Sequence, residues 1–113
     1  MHATQVDNPL RTEEAQRLFV KLLGHRVGDS TIPAYLHIGI VMYILVGQRP
    51  GRLLSAVLED KLSDAVNAAD PDSLRGLTAL VSFLHFDTPD ACHGSISAVA
   101  MWVAAGGRFG GAR

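Results

Sequence analysis

The stretch 32–46, from Ile32-Pro33 through Tyr43-Ile44-Leu45-Val46, is apolar nearly all round and broken by His37. A chain of 113 residues holds one domain and one hydrophobic core, so this stretch must lie inside it. Ile40, Val41, Ile44 and Val46 suit a buried strand. The length of the run, the capping residues Asp29-Ser30-Thr31 before it and Pro33 at its start favour a central helix instead. Gly47 ends it.

The segments around this centre read as helices with short connections. Thr12-Glu13-Glu14-Ala15 starts one, a capping hydroxyl followed by carboxylates, with Leu18, Leu22 and Phe19 on its apolar side and Gly24 as its stop. Leu54, Leu58, Leu62, Ala65 and Ala69 repeat at helical spacing, which predicts one helix over 52–69. Asp70-Pro71-Asp72-Ser73 caps another, lined by Leu74, Leu77, Leu80, Val81 and Leu84. Ser95 caps a last one through Val99, Trp102 and Val103. No repeat and no clear hairpin signal is visible. The expected fold is therefore all-α, a compact bundle of about five helices: a flexible arm over 1–11, one helical domain over 12–105, and a flexible glycine-rich tail over 106–113.

Hydrophobic residues make up 48% of the chain and charged residues 19%, an ordered globular balance. The mean hydropathy of +0.19 is high for so small a chain. Some apolar surface should then be covered by another copy, and a homo-oligomer is expected. A net charge of −1 argues against generic attraction to nucleic acid polymers or anionic membranes. The ten basic residues are all arginine except Lys21 and Lys61. Cys92 is the only cysteine, which fits a reducing compartment. The first residues lack the features of a signal peptide, and the 32–46 run is too short to span a bilayer. A soluble cytoplasmic protein is expected.

The strongest candidate site is Gly47-Gln48-Arg49-Pro50-Gly51-Arg52, a turn that opens a helix with an arginine on each side of the opening. Helix starts present unpaired N–H groups and partial positive charge to anions. Gly51 adds no bulk there, and Arg49 and Arg52 offer guanidinium forks. Ser55 lies one turn along on the side of Gly51 and Arg52, and Tyr43 offers an aromatic face for a base. Tyr43, Arg49, Pro50, Gly51, Arg52 and Ser55 together suit a phosphorylated nucleotide. The competing reading is a plain helix–helix turn with solvated arginines, Tyr43 in the core and Ser55 as a small packing residue.

A second constellation, His85, Asp87, Asp90, Cys92 and His93, contains metal-ligating residue types but matches no zinc spacing; capping, turn chemistry and packing are the default. Adjacent Cys92 and His93 do not orient toward each other as a nucleophile–base pair readily would. Asp60, Asp64, Asp70 and Asp72 read as solvated faces and caps. His37 reads as a satisfied core or interface residue, and Trp102 as core or interface anchor. No catalytic residue, metal or cofactor is assigned.

The pattern Ile32-Pro33, Tyr43-Ile44-Leu45-Val46-Gly47, Arg49-Pro50-Gly51, Leu53-Leu54-Ser55-Ala56-Val57-Leu58-Glu59-Asp60-Lys61-Leu62, Ala65, Ala69-Asp70, Phe83-Leu84, Pro89, Cys92 and Gly94-Ser95 resembles a family of small proteins encoded by bacteriophages and prophages. The chain differs from that pattern at His93, where tryptophan is expected, and in its long first helix. The resemblance implies a phage origin. Joined to the arginine turn, it leads to the expectation of a non-enzymatic binder acting in the cytoplasm of a host bacterium. Its ligand would be a phosphorylated nucleotide immune signal, of cyclic nucleotide or cyclic ADP-ribose type, sequestered to counter anti-phage defence. Two alternatives stand beside it. One is an inhibitor or adaptor docking on a host or phage protein through Trp102, Tyr35 and Tyr43. The other is a small hydrolase of a phosphorylated ligand using Asp60 or His85.

Overall fold

A computed structural model describes residues 8–111 of the chain. The apolar run is a helix, α2 (His37–Val46), entered through a 3-10 turn at Ala34–Leu36. Ile40, Val41, Tyr43, Ile44 and Leu45 are all buried on it. An all-apolar helix can satisfy its own backbone while being covered from several sides, which lets it serve as the axis of the core. His37 is buried too, and its Nε2–H donates to the Ile32 carbonyl at 3.0 Å, so the ring is satisfied locally.

Helix α1 (Glu13–Gly24) starts where the sequence predicts: Thr12 Oγ1 accepts the Ala15 N–H at 3.2 Å, and Ala15, Leu18 and Leu22 are buried. Of the arm expected over 1–11, residues 1–7 lie outside the described residues. Residues 8–11 are not a loose arm; Pro9–Arg11 forms a 3-10 turn capped by Asn8 and packed on α1 and α2. After α1 a hairpin appears that the sequence reading missed. Its strands, β1 (Arg26–Val27) and β2 (Ser30–Thr31), are antiparallel, with Arg26 opposite Thr31 and Val27 opposite Ser30. Strands of two residues carry no alternation to read.

The helix predicted over 52–69 is two, α3 (Arg52–Leu58) and α4 (Leu62–Ala68). The chain turns at Asp60, whose φ of 63° is left-handed. The next predicted helix also divides, into α5 (Pro71–Arg75) and α6 (Leu77–Phe86). Ser30 fills that break: its hydroxyl donates to the Arg75 carbonyl at 2.8 Å and accepts the Ala79 N–H at 3.1 Å. Side-chain bonds to freed backbone groups let a helix end inside a fold without unpaired polar atoms.

Helix α7 (Ile96–Ala105) is capped by Ser95 as predicted. The glycine tail is a correction: Gly107–Gly111 forms α8, packed on α2. Ala112 and Arg113 lie outside the described residues. The cause is a backbone-on-backbone approach. A Cβ on Gly107 would overlap the Gly47 nitrogen, and one on Gly47 would lie 2.7 Å from the Gly107 nitrogen. Both residues also have a left-handed φ of 71°. Only glycine meets both conditions, so residues that look flexible by composition are fixed by packing.

The fold is all-α apart from the small hairpin, with eight α-helices among the described residues against about five expected. The core joins α2 to Leu18 and Leu22 of α1, Leu80 and Phe83 of α6 and Val99 of α7. No described helix is long and apolar enough to cross a membrane. Gly107→Ala is expected to destabilise the protein by about 2–4 kcal/mol, combining left-handed strain with overpacking. Urea unfolding measures this, and an unchanged midpoint would show that α8 does not pack on Gly47.

Candidate functional site

The turn between α2 and α3 is well defined. Gly47 ends α2, with its N–H bonded to the Tyr43 carbonyl at 3.0 Å, and Gly51 is the N-cap of α3 with no side-chain cap. Ser55 Oγ donates to the Pro50 carbonyl at 3.0 Å, so this hydroxyl staples the turn instead of facing a ligand. Arg49 reaches Glu59 at 3.5 Å, and Lys61 reaches the other oxygen of the same carboxylate at 3.8 Å. Arg49 thus ties the start of α3 to its end, a contact worth about 0–1 kcal/mol at such exposure.

Tyr43 is not the aromatic face expected from the sequence. Its ring is 1% exposed, and its hydroxyl donates to the Cys92 carbonyl at 2.6 Å. Burial pushes its phenol well above the usual range. Its ring packs beside that of Trp102, whose indole N–H donates to the Tyr43 carbonyl at 2.9 Å. Trp102 is accordingly an internal strut. A helix that is apolar on every side gives no sequence clue to which aromatic faces inward.

The aromatic at the arginine turn is Tyr35. Gly51 and Arg52 line a cavity of about 220 Å³ together with Tyr35, Ala68, Asp70 and Ser73. Tyr35 is 57% exposed, and it also lines a cavity of about 390 Å³ that contains Asp29, Thr31, Asp72 and Arg75. Its ring is therefore shared by both spaces. Its hydroxyl is held by both carboxylate oxygens of Asp70, at 2.7 and 2.8 Å, and by Ser73. Asp70 caps α5 as the sequence predicts, accepting the Ser73 N–H at 2.7 Å. That backbone bond, then the Tyr35 and Ser73 hydroxyls, hold its carboxyl below the usual range. At Tyr35 the Ser73 hydroxyl favours the phenolate, but the Asp70 hydrogen bond and the neighbouring carboxylates outweigh it and raise the phenol. Arg75 pairs with Asp72, whereas Arg52 makes no ion pair among the described residues.

The second constellation divides. Asp87 faces His25 at 3.6 Å, and Cys92 is buried with its thiol on Thr88 Oγ1 at 3.5 Å. Burial pushes the Cys92 thiol up, away from the nucleophilic thiolate. His85, Asp90 and His93 do come together, joined by Asp60, around a cavity of about 350 Å³. No three histidine, cysteine or carboxylate groups among the described residues converge to hold a metal ion. Comparison with protein-family models, curated proteins and solved structures finds no match.

Two outcomes test this geometry. Tyr43→Phe is expected to cost about 1–2 kcal/mol by leaving the Cys92 carbonyl without its donor; an unchanged unfolding free energy would remove that bond from the core. Folding lowers the Asp70 pKa, so its carboxylate stabilises the fold above the ordinary aspartate range, and this is lost as pH falls through the folded value. Asp70→Ala should lower the thermal midpoint at pH 7 and flatten its fall in acid. Identical acid limbs would remove Asp70 as a contributor.

Proposed function

We propose that this chain is a non-enzymatic binder of a phosphorylated small molecule of nucleotide type, held on the two cavities that share Tyr35. The observation that carries the reading is the placement of Gly51 and Arg52, which makes no ion pair among the described residues, beside an exposed aromatic ring that is pinned at its hydroxyl. A pinned ring is a stacking platform with little conformational freedom left to lose, and base stacking on such platforms contributes about 1–3 kcal/mol. Arg52 supplies a guanidinium for phosphate. Asp29 can accept hydrogen bonds from sugar hydroxyls or base N–H groups. Arg49, Pro50 and Ser55 act by holding the turn, and Tyr43 leaves the ligand set.

The buried Cys92, with its raised pKa, supports binding over thiol catalysis. Leu23, Phe86 and Met101 expose most of their side chains, which supports self-association. On this reading the protein serves a phage by sequestering a cyclic nucleotide or cyclic ADP-ribose type signal in the host cytoplasm. The same exposed apolar residues favour a second reading, docking on a host or phage protein.

Native mass spectrometry against a panel of cyclic nucleotides and cyclic ADP-ribose isomers separates the two. The binder retains one intact ligand per site, and Arg52→Ala or Tyr35→Leu weakens it tenfold or more, while Tyr35→Phe, which keeps the ring but removes its pin, weakens it by less. A ligand-free spectrum across the panel would overturn the binding reading, and a stable complex recovered from infected cells would favour docking.

A further inference from the structure

His25 stands where α1 gives way to the hairpin, and the first strand of that hairpin packs on α6. Its ring meets the buried Phe83 nearly edge-on, with centroids 5.5 Å apart and planes at 79°. That contact holds the imidazole against α6 with a nitrogen toward each of two polar side chains. Nε2 lies 3.1 Å from Ser82 Oγ, and Nδ1 lies 3.6 Å from Asp87 Oδ2. Both partners belong to one helix end. Ser82 sits in the last two turns of α6, and Asp87 is its C-cap, with its N–H bonded to the Phe83 carbonyl at 2.8 Å. One helix thus carries a hydroxyl and a carboxylate, and the fold inserts between them an imidazole from 57 residues away.

The order of these groups has a chemical consequence. A carboxylate on the Nδ1 side favours the tautomer protonated there, which leaves Nε2 as acceptor for the Ser82 O–H. A serine inside a helix ordinarily returns its proton to a carbonyl of the preceding turn, whereas Ser82 faces a base. A bond that only tied the hairpin to α6 would need no carboxylate behind the ring. All three side chains also keep part of their surface open to solvent, so a reactant can reach them.

We infer that Ser82, His25 and Asp87 act as nucleophile, base and orienting carboxylate for acyl transfer. Ser82 Oγ attacks the carbonyl carbon of an ester, and its proton passes to His25 Nε2. The bond from that carbon to the leaving oxygen or sulfur breaks, and the leaving group takes the proton from Nε2. Water then attacks the acylated Ser82 and gives a proton to Nε2. The bond from Oγ to carbon breaks, Nε2 returns the proton to Oγ, and a carboxylic acid departs. Asp87 touches no reacting atom and is a positioning residue. The N–H groups around Ser82 are spent in the helix ladder, so its own segment offers no donors to the developing oxyanion. The substrate must therefore bring a good leaving group, which makes aryl and thiol esters the class. Phe86, four residues on and so on the same face of α6, is 77% exposed and can cover an aryl group or a short acyl chain. At Tyr35 a ligand is held without reaction; the Ser82 site shares no residue with those cavities and stands whether or not they bind a nucleotide.

Two measurements on the whole chain test the inference: peptide mapping of the adduct left by a fluorophosphonate probe, and the rate of p-nitrophenyl butyrate hydrolysis. A single adduct on Ser82 is expected, with p-nitrophenol released faster than by the denatured chain. Ser82→Ala should abolish both. Alanine suits a helix, so the unfolding midpoint of that variant should hold, which separates lost chemistry from a damaged fold. His25→Gln should slow both by about a hundredfold. Asp87→Asn should slow both by about tenfold and move the His25 ring proton away from Nδ1, read from the ring nitrogen NMR shifts. A purely structural carboxylate would leave the tautomer where it is. No adduct, an adduct on another residue, or wild-type rates in Ser82→Ala or His25→Gln would overturn the inference, and unchanged ring shifts in Asp87→Asn would remove Asp87 from it.

Discussion

A phenol enclosed by an apolar core has to place its proton on an acceptor, because an unpaired hydroxyl there costs more than the bond contributes. Tyr43 does so by donating to Cys92 at the end of the 3-10 turn Asp90–Cys92, while its own carbonyl accepts the Trp102 indole N–H. One residue of α2 thereby fixes both the loop after α6 and the middle of α7. Much of the remaining architecture hangs from this point. His93 follows Cys92 directly, and Gly106 and Gly107 follow the turn of α7 that carries Trp102, so that Gly107 meets Gly47 one turn beyond Tyr43.

The candidate sites follow from how short the helices are. A long helix satisfies its interior backbone and presents a continuous face, whereas each short one ends in groups that must find partners. Glu59, Asp70, Ser30 and Ser55 hold such ends together through ion pairs, caps and turn bonds. The cavities open at those same junctions. The Tyr35 cavities lie where α3, α5 and the entry to α2 meet, and the cavity lined by His85 and His93 lies where α3 gives way to α4 against α6.

The sequence made some of this legible and hid the rest for identifiable reasons. Caps are local, and Thr12, Asp70 and Ser95 bond their own helix starts as their positions predict. Amphipathic spacing is local too, and it correctly placed helices over most of the chain. It failed at Asp60, where Leu58 and Leu62 keep the apolar period across a turn with a left-handed φ. It failed again at Gly76, where the break is set by contact with the distant hairpin: a Cβ there would lie 2.5 Å from the Thr31 carbonyl oxygen. The tail was misread because its glycines serve a close approach to Gly47, a long-range demand that composition cannot express. At the site, the arginine turn was legible, but the exchange of Tyr43 for Tyr35 was not. Both tyrosines lie within the same apolar run, and only the tertiary fold decides which one is covered.

Charge pairing bears on how the Tyr35 cavities are read. Exposed ion pairs contribute little, so an unpaired surface charge means nothing by itself. Around these helices, however, the charges within reach of one another do pair: Arg17 with Glu13, Arg75 with Asp72, and Arg49 and Lys61 with Glu59. Arg52 makes no ion pair among the described residues, which is equally true of Asp29, Asp64 and Arg108, so what sets it apart is a second feature beside it at the cavity. For Arg52 that feature is a ring held at its hydroxyl yet open on its faces. The Tyr35 cavities carry both signs, Arg52 and Arg75 beside Asp29, Asp70 and Asp72, so a ligand there has to offer hydrogen-bond donors to the carboxylates as well as an anion to the guanidinium.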